Sequence, residues 1–178
     1  DSREAVERMK NMGKRVIMLT GDSEGAAAAV ASEVGITEYR SSVMPQDKEI
    51  VVRELQQSGS KVAMIGDGIN DAPALTRADV GIAIGAGTDI AIESADIVLS
   101  GSSLTDAVTA FRLGDAVIKN IKMSLFWAFF YNSAGIPIAA GVLSGIGITL
   151  NPMIAAAAMS FSSVCVVLNA LRLRRFKK

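Results

Sequence analysis

The sequence has no charged side chain between Met123 and Leu171, and it has only one cysteine, Cys165. A single cysteine excludes an internal disulfide. The net charge is zero, so nothing favours a nucleic-acid partner. There is neither a signal peptide nor an initiator methionine at the N-terminus. Because Asp1 opens directly on a helical pattern, we expect the chain to begin inside a larger protein.

The charged residues are divided unevenly along the chain. The acidic residues lie in the first two thirds, and the last third is apolar. The chain ends in a basic tail consisting of Arg172, Arg174, Arg175, Lys177 and Lys178. This division predicts a soluble domain followed by an apolar segment.

Short apolar runs alternate with helical segments over residues 1–102. The runs at 16–19, 62–65, 80–84 and 97–99 predict strands, and segments 5–12, 23–34, 45–57 and 71–77 predict helices. Continuous apolar runs are typical of strands buried on both faces of a parallel sheet. The alternation therefore predicts a doubly wound α/β fold, whose ligand site lies at the carboxyl ends of the strands.

The loop Gly66–Leu75, which follows the second apolar run, combines carboxylates with glycines. Asp67 and Asp71 are four residues apart, and Mg²⁺ is often held by one or two carboxylates. Gly66 and Gly68 would let the backbone approach a phosphate closely. The loop therefore predicts a Mg²⁺-phosphate site.

Two further segments offer groups that suit a phosphate. Thr20, which follows the first apolar run, has a hydroxyl and a backbone N–H for phosphate oxygens. Lys48 has a fixed positive charge for the anion that develops during phosphoryl transfer. Taken alone, either residue would be interpreted as an ordinary strand-end threonine or surface lysine. The loop Gly66–Leu75 makes the functional interpretation the stronger one.

The last part of the chain predicts a helical hairpin that spans a membrane. A linking helix at 103–122 leads into spans at 123–143 and 153–171, each about the 20 residues that a bilayer needs. Residues 144–152 form the turn, and 172–178 form the basic tail. Basic residues flank the two spans and are absent between them, which predicts both ends in the cytosol and the turn outside. The alternative is a buried helical hairpin of a soluble protein.

Polar residues within the predicted spans suggest a site for a soft metal ion. Tyr131 and Asn132 lie in the first span, and Met159 and Ser163 share one face of the second. A thioether, a phenol and an amide without charge favour Cu(I). Zn²⁺ would be expected to have a carboxylate nearby, and neither span contains one. Cys165 is not on the face of Met159 and Ser163, so we interpret it as packing.

Three segments in this order resemble the phosphorylation domain of P-type ATPases, which is similar to haloacid-dehalogenase-like phosphotransferases: Met18–Asp22, Pro45–Lys48 and Gly66–Leu75. The resemblance implies an aspartyl-phosphate mechanism that uses ATP and Mg²⁺. It implies a phosphoryl-handling set made of Thr20, Gly21, Asp22, Lys48, Asn70 and Asp71, and Mg²⁺ ligands at Asp67 and Asp71.

Tyr131–Pro137 and Met159–Ser163 resemble the last two helices of Cu(I)-transporting heavy-metal P-type ATPases. That resemblance implies transported-metal ligands at Tyr131, Asn132, Met159 and Ser163. It implies export of Cu(I), or Ag(I), by a multi-pass protein of the bacterial cell membrane. The partners that it implies are the lipid bilayer, a cytosolic copper chaperone and an N-terminal part of the same pump. The long helix would then link the phosphate site to the metal site.

The sequence departs from the family pattern in several places. The Asp-Lys-Thr-Gly motif with the nucleophilic aspartate is absent, as are the nucleotide-binding insertion and the Cys-Pro-Cys motif. We therefore expect no ATP turnover by this chain alone. Three alternatives stay open: a P-type pump for another cation, a membrane-tethered haloacid-dehalogenase-like phosphatase, and a non-enzymatic metal-binding or regulatory module.

Overall fold

A computed structural model describes residues 1–67, 69–85, 93–140, 145 and 152–176. The chain divides into two compact units, residues 1–110 and residues 111–178. The boundary between them falls inside the linking helix that the sequence predicts at 103–122.

The first unit alternates helices with short strands, which confirms the α/β prediction. Its helices are α1 (Ser2–Asn11), α2 (Glu24–Val34), α3 (Pro45–Gln57) and α4 (Ala72–Arg77), and a 3-10 turn at Ile69–Asp71 precedes α4. Its strands are β1 (Ile17–Leu19), β2 (Glu38–Arg40), β3 (Ala63–Gly66), β4 (Val80–Ile84) and β5 (Ile97–Leu99).

The strands form two parallel sheets within the described residues. β1 pairs with β2, so that Ile17 lies opposite Glu38, and β3, β4 and β5 form the second sheet in that order. The runs at 16–19 and 62–65 were predicted to be strands buried on both faces, but the strands that they form, β1 and β3, are mostly half-buried. Each of them lies at the edge of its sheet, whereas β4, between two neighbours, buries its three central residues.

The core of the first unit consists of small and branched apolar side chains. Ala27 and Ala31 of α2, Val52 of α3 and Leu75 of α4 are all buried, as is Ile82 of β4. Burial of apolar surface is the main force that holds these helices against the strands.

The second unit contains the longest helices. Helix α5 (Leu104–Ala139) begins in the first unit and continues through the second, and α6 (Pro152–Leu171) is followed by a 3-10 turn at Arg172–Arg175. Asn120 Nδ2 donates to the Asn169 carbonyl at 2.6 Å, and Asn169 Nδ2 donates to the Asn120 carbonyl at 3.0 Å and to Ser124 Oγ at 2.9 Å. These reciprocal bonds fix the register between α5 and α6.

The predicted spans are only partly covered by the described residues. The predicted turn at 144–152 and the final two lysines lie almost wholly outside them. Among the helices that the described residues form, none is long and apolar enough to cross a membrane. The spans at 123–143 and 153–171 are therefore not confirmed and stay a prediction.

Candidate active site

The centre of the site is an ion pair between Lys48 and Asp71. Pro45 occupies the first turn of α3, where its missing N–H costs nothing, and this helix start positions Lys48. Asp71 lies directly before α4. Lys48 Nζ donates to Asp71 Oδ1 at 2.7 Å, and the side chains are only 17% and 9% exposed. Charges this far from water need a partner, so the pair explains why both can lie here.

Gly66 makes room for this aspartate. A Cβ atom on Gly66 would lie 2.6 Å from Asp71 Oδ2 and 2.7 Å from its Cβ. Real Cβ atoms essentially never approach another atom so closely, so any other residue at the end of β3 would displace the carboxylate. Asp67 and Asn70 are exposed on the same loop. Gly68 lies outside the described residues.

The segment Thr20-Gly21-Asp22 forms a tight hydrogen-bonded turn after β1. Thr20 Oγ1 donates to Asp22 Oδ2 at 2.8 Å and accepts from the Asp22 backbone N–H at 3.1 Å. Gly21 faces the Val43 carbonyl, which would be 3.6 Å from an added Cβ, an ordinary contact. The Thr20 hydroxyl is thus held at the carboxyl end of β1, where a ligand is expected in an open parallel sheet.

The loop between β2 and α3 connects this turn to the helix of Lys48. The Val43 N–H donates to the Thr20 carbonyl at 2.9 Å, and the Ser42 N–H donates to the Asp22 carbonyl at 2.8 Å. Ser42 has a φ of 52°, a left-handed conformation that is uncommon for a serine. α3 then begins two residues after Val43, at Pro45. The framework that holds Thr20 therefore continues directly into the helix that holds Lys48.

Glu24, in the first turn of α2, accepts hydrogen bonds from β2 and from the loop between β2 and α3. The hydroxyl groups of Ser41 and Tyr39 both donate to its carboxylate, the second at 2.8 Å. The Ser41 bond, followed by the Tyr39 bond, lowers the pKa of Glu24 below its usual value. The same contact with Glu24 raises the pKa of the Tyr39 phenol. Glu24 is thus ionised at neutral pH and helps to hold the loop in place.

The carboxylates of the loop suit Mg²⁺. Asp67 is exposed and, within the described residues, makes no ion pair. Asp71 uses Oδ1 for Lys48 and keeps Oδ2 on the side left open by Gly66. The part of the chain that the structure describes has no group of three or more His, Cys, Asp or Glu side chains able to hold a metal. Mg²⁺ does not need such a group, because it keeps several waters and binds through one or two carboxylates and phosphate oxygens.

The predicted metal-ion residues of the second unit make mostly local contacts. The Asn132 amide donates to the Ala128 carbonyl at 3.0 Å, and Ser163 Oγ donates to the Met159 carbonyl at 3.3 Å. Met159 is 70% exposed. The Tyr131 hydroxyl lies 3.8 Å from Cys165 Sγ across the two helices. Cys165, interpreted as packing, is therefore a side chain of α6 in hydrogen-bonding contact with Tyr131.

Sequence reasoning missed the β2–α3 loop. β2 has the residues Glu38, Tyr39 and Arg40, which form no apolar run, so no strand was expected there. The roles of Ser41 and Ser42 followed from that strand and were missed with it. The one signal that could have found the loop is the polar pair Ser41-Ser42 shortly before Pro45, a pattern typical of turns.

Comparison with known families gives matches that together cover the whole first unit. Two sequence profiles match, both described as haloacid dehalogenase-like hydrolase, at residues 1–79 and residues 48–111. Together these ranges include Thr20, Lys48, Gly66 and Asp71.

Curated relatives resemble the chain over nearly its whole length. The chain is 55% identical over 173 residues to a probable copper-transporting ATPase PacS of Synechococcus elongatus, covering 97% of this chain and 23% of that protein. It is 53% identical to a copper-exporting P-type ATPase of Bacillus subtilis, covering 99% of this chain and 21% of that protein. The chain thus spans less than a quarter of the length of these two relatives.

The backbone of the chain is also similar to solved structures of P-type ATPases. A zinc-transporting PIB-type ATPase in its E2·Pi state matches with a TM-score of 0.83 and 37% identity, over 96% of this chain and 27% of that one. The catalytic domain of the CPx-ATPase CopB-B matches with a TM-score of 0.57 and 40% identity, over 62% of this chain and 44% of that one. The first of these matches extends over both units.

Proposed function

Because the chain belongs to the P-type ATPase family, with a haloacid dehalogenase-like phosphorylation domain, we propose that the full-length protein is an ATP-driven pump that exports Cu(I). The chain would supply part of the phosphorylation domain and the last two membrane helices. Relatives that are about 53% identical carry copper-transporting or copper-exporting names, which supports this substrate.

The observation that carries the phosphoryl-transfer proposal is the part-buried ion pair of Lys48 and Asp71 beside Gly66. Apolar side chains could replace a purely structural ion pair at little cost in stability, so stability alone does not explain why a charged pair lies here. Here the pair lies at the carboxyl end of β3, the end where an open parallel sheet binds its ligand. The exposed Asp67 and Asn70 lie on the same loop.

Each residue of the site has a definite part in the proposed reaction. A carboxylate outside this sequence attacks the γ-phosphorus of ATP, and ADP leaves; water then attacks the aspartyl phosphate and releases phosphate. The Lys48 ammonium and the Thr20 hydroxyl bind the phosphoryl oxygens, and Gly21 and Asp22 hold the turn that presents Thr20. Asn70 and Asp71 orient the attacking water.

Mg²⁺ would be held by Asp67 and Asp71 and would offset negative charge on the phosphoryl group. The remaining Coulombic stabilisation would come from Lys48, whose ammonium needs no reorientation because Asp71 already fixes it. ATP itself would bind chiefly to the part of the pump that this chain does not include.

The second unit is proposed to lie in the membrane. Residues 123–143 and 153–171 would be the spans, 144–152 the extracytosolic turn and 172–178 a cytosolic tail, with residues 103–122 as the link to the phosphorylation domain at 1–102. The absence of charge between Met123 and Leu171 supports this placement. A bacterial cell membrane and a cytosolic copper chaperone would be the surroundings of such a pump.

Cu(I), with Ag(I) as a chemical analogue, suits the polar residues of these helices. Tyr131, Asn132, Met159 and Ser163 would be the ligands or path residues, a neutral set with a thioether that favours a soft monovalent ion. A second candidate is Zn²⁺, favoured by the zinc-transporting ATPase that matches both units. Against it, the two segments contain no carboxylate to offset a double charge.

Metal-stimulated ATP hydrolysis by the full-length protein in lipid tests the choice of ion. We expect Cu(I), kept reduced, to stimulate hydrolysis and Zn²⁺ not to do so. Met159→Ala should lower the Cu(I) stimulation about tenfold or more, because the thioether is the softest ligand of the set. Met153→Ala, which removes another exposed methionine of α6, is the matched control and should leave the stimulation unchanged. Stimulation by Zn²⁺ alone would replace Cu(I) with the second candidate.

A further inference from the structure

A groove of about 540 Å³ runs along one face of α5 in the second unit. It is lined by Asp115, Ile118, Lys119, Lys122, Met123 and Phe126. These residues recur at intervals of three and four, so they lie above one another on a single helix face. The groove is therefore a property of α5 itself.

One end of this groove is cationic. Lys119 and Lys122 are exposed, and within the described residues no carboxylate lies within ion-pair distance of either. Asp115 lies a turn earlier on the same face and balances only one of the two charges. The lysine pair thus keeps a net positive charge that an anionic ligand would complement.

The other end of the groove is apolar and exposed. Met123 is 41% exposed and Phe126 is 57% exposed, and Ile118, beside the lysines, is 52% exposed. No charged residue follows Lys122 until Arg172. A cationic end that passes into an apolar end within two helix turns suits a ligand with an anionic head and a hydrocarbon body.

Further basic residues lie near the cationic end. The reciprocal bonds between Asn120 and Asn169 bring the last turn of α6 beside this part of α5. Arg172 and Arg174, which follow α6, are exposed. The Arg112 guanidinium lies 5.7 Å from the centre of the Phe176 ring, so the end of the described chain returns to α5. Clusters of four or more basic residues next to a membrane segment attract anionic lipids.

We propose that this groove is a binding site for an anionic phospholipid. Lys119 and Lys122 bind the phosphate of the head group, and Met123 and Phe126 contact the acyl chains. Lysine stems that cover apolar surface while their ammonium groups reach a polar layer are typical of this position. The inference rests on the proposed membrane placement of the second unit, and it adds a lipid site to it.

Trp127 offers a direct measurement, because it follows Phe126 and its ring packs edge-to-face with the Phe126 ring, with ring centres 5.5 Å apart. The full-length protein is placed in bilayers of phosphatidylcholine and phosphatidylglycerol, with bromine on the acyl chains of one lipid or of the other. Bromine quenches nearby tryptophan fluorescence. The contribution of Trp127 is the difference between the wild type and Trp127→Phe.

We expect brominated phosphatidylglycerol to quench Trp127 more strongly than brominated phosphatidylcholine at equal content. In the double variant Lys119→Gln and Lys122→Gln, the preference of the site for phosphatidylglycerol over phosphatidylcholine should fall about five-fold for each lysine removed. The control is the double variant Arg3→Gln and Lys14→Gln, which removes two exposed positive charges from the first unit and should keep the preference.

Three results would overturn the lipid site. Equal quenching by the two lipids would remove the head-group selectivity, and a preference abolished by added inorganic phosphate would assign the lysines to free phosphate. No quenching by either lipid would show that another segment of the protein covers the groove.

Cu(I)-stimulated hydrolysis, measured on the same samples, reports separately on the proposed pump. If Cu(I) still stimulates hydrolysis but Trp127 shows no preference for phosphatidylglycerol, only the lipid site is wrong. If Cu(I) does not stimulate hydrolysis but the preference for phosphatidylglycerol is present, only the ion assignment is wrong.

Discussion

At the scale of single residues, Gly66 and Asp71 constrain each other. Asp71 can lie against the end of β3 only because residue 66 has no side chain, and Lys48 can be buried only because Asp71 neutralises it. These three residues, two from the loop Gly66–Leu75 and one from α3, therefore depend on one another. The sequence predicted Gly66 and Asp71 as phosphate-site residues from their place in the loop after a strand, and Lys48 from its fixed charge at the start of a helix.

Gly66→Ala tests this dependence. The added methyl group would collide with Asp71 and displace it from Lys48, so ATP hydrolysis by the full-length protein should fall at least tenfold, since a small misplacement of a catalytic group has an effect of this order. Gly25→Ala is the matched control, because an added Cβ there has no neighbour within 4 Å, and it should keep wild-type hydrolysis. Normal hydrolysis by Gly66→Ala would contradict the assigned role of Asp71.

The pairing of Lys48 with Asp71 could not be predicted from the sequence. Spacing along the chain shows which residues share a helix face or follow a strand, but these two residues are 23 positions apart. Their contact depends on how α3 packs beside the loop before α4, and that packing is decided by buried side chains such as Val52 and Leu75. The residues of the site could thus be predicted from the sequence, whereas the ion pair between them could be found only from the tertiary structure.

At the scale of elements, the apolar runs predicted four of the five strands that the described residues form. The predictions for 80–84 and 97–99 agree with β4 and β5, and 45–57 agrees with α3. β2 was missed because its residues alternate charge with a single aromatic, and its place depends on tertiary contacts such as its pairing with β1. Short polar strands are stabilised by contacts with adjacent strands, so their own residues show no clear pattern from which a strand can be predicted.

The packing of α4 on β4 requires a glycine at position 81. A Cβ there would lie 2.6 Å from the Leu75 carbonyl oxygen, a backbone atom that cannot move aside. Gly81→Ala should therefore destabilise the first unit by about 1–3 kcal/mol. We expect faster hydrogen exchange over residues 63–84 of the full-length protein. Gly114→Ala, in α5 with no neighbour within 4 Å, should leave that exchange unchanged, and equal exchange in the two variants would rule out the contact.

Asp79 joins the end of α3 to the start of β3, and its contribution should depend on pH. It accepts hydrogen bonds from Lys61 Nζ at 2.7 Å, the Val62 N–H at 3.0 Å and Gln56 Nε2 at 3.1 Å. Of these the Lys61 bond has the largest effect, and together they hold the pKa of Asp79 well below its ordinary value of 3.8. A depressed pKa in the folded state stabilises the fold above the unfolded pKa, and this stabilisation is lost as the pH falls.

The thermal unfolding midpoint of the chain between pH 3 and pH 7 measures this contribution. Asp79→Asn should unfold at a lower temperature than the wild type from about pH 5 to pH 7. The difference should shrink as the pH falls below about 4, where the unfolded carboxyl takes up its proton. A difference that stays constant over the whole range would show that the Asp79 carboxylate has no pH-dependent role.

At the scale of the whole molecule, the structure divides the chain into two units, and the predicted domain bounds at 102, 122, 143, 152 and 171 stay a prediction. The predicted link at 103–122 contains the boundary that the structure places between residues 110 and 111. The relationship to P-type ATPases extends over both units, since the match to the zinc-transporting PIB-type ATPase covers 96% of the chain. The transported ion is harder to predict, because Tyr131 contacts Cys165 while Asn132 and Ser163 bond to their own helices.

The central claim is that Lys48 and its surroundings form a phosphoryl-transfer site, and labelling of the full-length protein with ATP radioactive at the γ-phosphate tests it most directly. The wild type should take up label as an acyl phosphate, which hydroxylamine removes. Lys48→Met should lower the initial rate of labelling at least tenfold, because the transferring phosphoryl group loses its fixed charge, while Lys14→Met, at an exposed lysine of the same unit, should label normally. Wild-type labelling by Lys48→Met would contradict the account.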